Sequence, residues 1–137
     1  MKTSNIKKFI SLSFVILMLA APMAQAGVFM DKAVEKAREA VENASPDDWM
    51  TLAKSADKLI QRKKNLKEAN EWLEKSLAIK ETVYNLTVRG DYYLVNNLPD
   101  KALDYYVKAM NLAKSEDADA DITGIQMKVA QITNIGG

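Results

Sequence analysis

Two stretches of this chain are spaced copies of one another. Residues 66–79 read LKEANEWLEKSLAI and residues 98–112 read LPDKALDYYVKAMNL, so that Ala69 falls on Ala102, Leu73 on Tyr106, Ser76 on Ala109 and Leu77 on Met110, each 33 residues on. The same offset carries Asp57 onto Gly90 and Ile60 onto Tyr93, and a further step of 34 takes Gly90 to Gly124 and Tyr93 to Met127. A period near 34 with small residues at fixed places constrains the chain to a row of stacked helical hairpins, because one such hairpin cannot bury its apolar face alone.

The rest of the pattern predicts the same architecture. Apolar residues recur at helical spacing and no alternating strand pattern interrupts them, so the fold class is all-α. Six helices are expected, over about residues 28–44, 47–63, 66–80, 82–96, 99–113 and 119–134. Ser45 is expected to cap the second of them, with Pro46 in its first turn. The links are a few residues long, which makes successive helices antiparallel neighbours.

Leu86, Gly90 and Tyr93 on one helix, followed by Ala102, Tyr106 and Ala109 on the next, resemble the tetratricopeptide repeat family in order and spacing. The copy before it is more divergent, with Asp57 at the glycine position and Ser76 at the second alanine, and the usual proline is replaced by Glu81 and Lys114. The resemblance covers residues 31–130 and implies a short α-solenoid: a half repeat at 28–45, repeats at 47–81 and 82–115, and a terminal half repeat at 118–135. Asp31-Lys32-Ala33-Val34 parallels Asp100-Lys101-Ala102-Leu103, so the first helix matches the second helix of a repeat and the sixth matches a first helix.

Ahead of this array stand Lys2, Lys7 and Lys8, an uncharged run from Phe9 to Ala21, and Ala24-Gln25-Ala26 before Gly27, the three parts of a secretory signal peptide. Cleavage after Ala26 is expected, with an uncleaved anchor as the alternative; the apolar run is shorter than the ~20 residues a membrane span needs. The mature chain is then Gly27–Gly137, periplasmic or secreted. Removing three lysines leaves 16 of the 19 basic residues against 18 acidic ones, a net charge of −2, which carries no footprint for nucleic acid.

The chain has no cysteine and no histidine. That composition excludes thiol nucleophiles, Ser/His/Asp triads and the usual zinc, copper and haem ligands, and no cofactor is expected. Asp117, Asp119 and Asp121 alternate as in a calcium loop, but Ile122 stands at its glycine and Lys128 at its glutamate, so these acids are expected to cap the sixth helix instead. Trp49 and Trp72 are expected in the core, and Glu68 and Glu71 on a solvated face; a carboxylate-dependent cell-wall glycan hydrolase is the one enzyme class left open, with no catalytic residue to name.

In the family, ligands lie in the groove lined by the first helix of each repeat. The resemblance places Thr51, Lys54, Lys58, Gln61 and Arg62 there from one repeat and Tyr84, Thr87, Asp91, Leu94 and Val95 from the next. Asp121, Ile125, Lys128 and Val129 follow from the sixth helix. Lys54, Lys58 and Arg62, four residues apart, share a helix face that reads first as a solvated face and alternatively as one that holds an acidic segment or a carboxylate; the arrangement departs from the family's carboxylate clamp, with Lys58 and Val88 where asparagines belong. The expectation is a non-enzymatic interaction module that binds a peptide or protein segment. The alternative is a self-associating protein that uses Ile122, Ile125, Val129, Ile132 and Ile135.

Overall fold

The computed structural model describes residues 31–135, with side chains through Asn134. The expected signal peptide, the start of the first half repeat and the Ile135 side chain lie outside the described residues. Within them the chain is all-helical: α1 Lys32–Glu42, α2 Trp49–Gln61, α3 Leu66–Ile79, α4 Val83–Val95, α5 Pro99–Glu116 and α6 Thr123–Ile135, with no strand. No described helix is long and apolar enough to cross a membrane.

Each helix packs on its chain neighbour, and α2 also packs on α4. Two apolar clusters result. Val34 and Ala37 of α1, Leu52, Ala56, Leu59 and Ile60 of α2, and Ala69, Trp72 and Leu73 of α3 close on Val88 of α4. Two residues before it on α4, Leu86 faces the other way, onto Ala102, Tyr106 and Ala109 of α5 and Ile125 of α6. Thus α4 is buried on two sides and ties the clusters together.

The two central hairpins turn by the same device. At the end of α2 the amide of Lys64 donates to Leu59 O at 3.1 Å and that of Lys63 to Ile60 O at 2.9 Å; at the end of α4 Leu98 donates to Tyr93 O at 3.0 Å and Asn97 to Leu94 O at 3.1 Å. These paired bonds need a left-handed residue just past the helix. Lys63, at φ 52°, and Asn97, at φ 58°, supply it without glycine.

Two helix starts differ from expectation. The amide of Asp48 donates to Ser45 O at 3.0 Å, closing residues 45–48 into a turn, so that α2 begins at Trp49 and Asp48, not Ser45, is its cap. Asp48 Oδ1 accepts from the Thr51 amide at 2.9 Å. Likewise α6 begins at Thr123 rather than Asp119. Asp117 Oδ1 takes the Asp119 amide at 2.9 Å and Asp121 Oδ1 the Thr123 amide at 2.9 Å; such local side-chain bonds compete with helix formation and hold residues 117–121 as a turn. In contrast, α5 runs a turn longer than expected, to Glu116.

Candidate functional site

Helices α2, α4 and α6 come together in an open pocket of about 210 Å³ lined by Ile60, Gln61, Lys63, Asp91, Leu94, Val95 and Lys128. Its polar centre is Asp91 on α4. One carboxylate oxygen, Oδ1, accepts from Tyr106 Oη of α5 at 2.6 Å and from Lys128 Nζ of α6 at 2.7 Å. Burial, and then the Asp91 carboxylate, push the Tyr106 phenol well above its usual pKa, so it stays a donor. The Asp91–Lys128 pair, whose side chains are 21% and 38% exposed, is still reached by water.

Of the groove residues named from the sequence, Asp91 and Lys128 meet in this pocket, with Gln61, Leu94 and Val95. Lys54 and Lys58 stand exposed on α2. Arg62 is drawn sideways, its Nη1 2.8 Å from Oδ2 of Asp31, the residue that caps α1. Tyr84 donates to Asp57 Oδ2 at 3.0 Å, bridging α4 to α2, and Thr87 turns its hydroxyl onto Val83 O at 2.7 Å. Asp121 sits in the turn before α6 and is not in the pocket lining. Ile125 is buried against α4 and α5, and Val129 and Ile132 pack on the same cluster, so most of the described part of the isoleucine stripe is turned inside the chain.

Lys63 was not foreseen as a groove residue. Its position follows from the left-handed cap that ends α2, and the only sequence signal for that cap is the break in helical pattern at Lys63-Lys64-Asn65.

A larger, charged hollow of about 410 Å³ between α1 and the start of α3 is lined by Arg38, Asn65, Lys67, Glu68 and Glu71. At its heart Arg38 of α1 forks onto Glu68 of α3, with Nε 2.9 Å from Oε1 and Nη2 2.9 Å from Oε2. Glu68 is therefore an interhelical strut and not part of a solvated face; Glu71 beside it is exposed. Trp72 is buried as expected, whereas Trp49 is half-buried, with Lys80 Nζ 5.8 Å from its ring centre. In the acidic turn, Lys114 Nζ donates to Ala118 O at 3.0 Å and to Ala120 O at 2.8 Å, which ties the turn back to the end of α5. Among the described residues no three acidic side chains converge as metal ligands.

Comparison with models of known protein families, with curated proteins and with solved structures gave no match.

Proposed function

We propose that this chain is an exported interaction module, a short solenoid of the tetratricopeptide type, that holds an extended segment of a partner protein along α2, α4 and α6 and performs no chemistry of its own. The pocket between those helices carries the reading. At about 210 Å³ it is smaller than the ~300–1,000 Å³ of small-molecule sites. It matches one or two side chains. Leu94 and Val95 offer an apolar seat over buried Ile60, and Lys63 and Lys128, the latter paired with Asp91, flank it. Lys54 and Lys58 continue the positive charge along exposed α2. A segment with an apolar anchor beside aspartate or glutamate fits this arrangement.

The test is capture of such peptides by the exported chain. Lys58→Glu combined with Lys63→Glu should weaken capture about tenfold or more, and added salt should weaken it further, because exposed charges are screened over about 10 Å. Arg62 is left intact because it holds Asp31, and Glu71→Lys on α3 serves as the control. Capture lost in the control and kept in the double variant would place the working surface elsewhere.

A further inference from the structure

Both hydrogen bonds that Asp91 accepts in the pocket fall on one of its two carboxylate oxygens. Tyr106 Oη at 2.6 Å and Lys128 Nζ at 2.7 Å meet at Oδ1, and among the described residues no donor reaches Oδ2. That oxygen keeps contact with solvent, since Arg89 Nε is the one buried side-chain atom left without a partner among the described residues. The pocket therefore holds a carboxylate acceptor that the fold itself does not use.

Its position and surroundings decide which donor suits it. Leu94 and Val95 follow Asp91 on the same side of α4, so the carboxylate stands one helical turn, about 5.4 Å, from the apolar seat. A phenol spans that distance, with its ring on the seat and its hydroxyl at the carboxylate. The fold makes the same kind of bond twice from within: Tyr106 donates to Asp91, and Tyr84 donates to Asp57 Oδ2 at 3.0 Å. A partner's ammonium or guanidinium at Oδ2 would instead meet the like charges of Lys63 and Lys128, which line the same pocket. Gln61, the remaining polar residue of the lining, turns its amide onto Asp57 Oδ1 at 3.0 Å.

We infer that the segment held in this groove is anchored by a tyrosine, whose ring lies on Leu94 and Val95 and whose hydroxyl donates to Asp91 Oδ2. The inference rests on the face of α2, α4 and α6 being the binding surface, and it makes Asp91 the residue that selects the anchor. Phenylalanine in the same seat would take water away from Oδ2 and return no hydrogen bond, a loss that a site with a built-in acceptor does not recover.

Acidic peptides identical but for one central residue, which is tyrosine, phenylalanine, O-methyltyrosine or lysine, are titrated against the exported chain by fluorescence anisotropy. The tyrosine peptide should bind about tenfold tighter than the phenylalanine peptide or the O-methyltyrosine peptide, whose anchor keeps the ring and the oxygen but has lost the proton. Asp91→Ala, with helicity checked by circular dichroism, should bring the tyrosine peptide down to the level of the phenylalanine one. Because Asp91 also holds Tyr106, the comparison of anchors on the unmodified chain decides the matter if that variant does not fold. Equal binding of the tyrosine and phenylalanine peptides, tightest binding by the lysine peptide, or a tyrosine preference that survives in folded Asp91→Ala would overturn the tyrosine anchor and leave the groove standing. No binding by any of the four peptides would overturn both.

Discussion

Ser76 departs from the alanine that its repeat counterpart Ala109 preserves, and the structure supplies the reason. Its hydroxyl donates to Trp49 O at 2.7 Å and accepts from Asn85 Nδ2 at 3.0 Å, joining α2, α3 and α4 through two fully buried side chains. Asn85 is in turn held by Lys80 O and the Thr82 amide, at 2.7 and 2.8 Å. Ser76→Ala would bring the repeat closer to its pattern and yet leave a buried amide proton of Asn85 short of a partner. It should destabilise the fold by about 1–3 kcal/mol in denaturant titration; a neutral result would show that the bond network carries no weight. Tyr84 and Tyr106 extend the same logic to pH. Burial, and then Asp57 and Asp91 respectively, raise both phenol pKa values in the folded chain. A raised folded pKa contributes stability that is complete below the unfolded value of about 10 and is lost as pH rises past it. The denaturant midpoint should therefore fall above about pH 10, and fall less steeply in the Tyr106→Phe variant; parallel curves for the two would contradict the assignment.

At the scale of helices, much was legible in the sequence. The 33-residue offset located α2 to α5 to within a few residues, because Ala69, Ala102 and Ala109 mark where helices must approach closely and Leu73 and Tyr106 mark what fills the space between. The ends were less legible. Asp48, Asp117 and Asp121 bond backbone amides two or three residues ahead, and which of several neighbouring acids does so depends on how the flanking helices dock. The left-handed caps at Lys63 and Asn97 were equally hidden, since glycine is the usual sign of such a cap and neither site has one. Lysine pays a steric penalty there. Lys63→Gly should thus stabilise α2 and with it the fold, by about 0.5–1 kcal/mol in thermal or denaturant unfolding; a loss of stability would mean that the Lys63 side chain contributes more than its backbone strain costs.

For the molecule as a whole, the sequence pattern gave the direction of the candidate site but not its detail. Placing Asp91 and Lys128 in one groove needed only the repeat register, and the structure brings them to 2.7 Å. That Arg62 is diverted to Asp31, Glu68 to Arg38 and Ile125 into the core depends on how separate helices dock, which no spacing within one helix encodes. What remains is a surface with an apolar seat and flanking lysines on α2, α4 and α6, and a charged hollow between α1 and α3. The working surface proposed is the face made by α2, α4 and α6. Its direct test places a photoreactive amino acid in living cells at Lys58 on that face or, separately, at Glu71 on α3. Partner adducts are expected from position 58 and none from position 71; adducts from position 71 with none from position 58 would contradict the proposed surface.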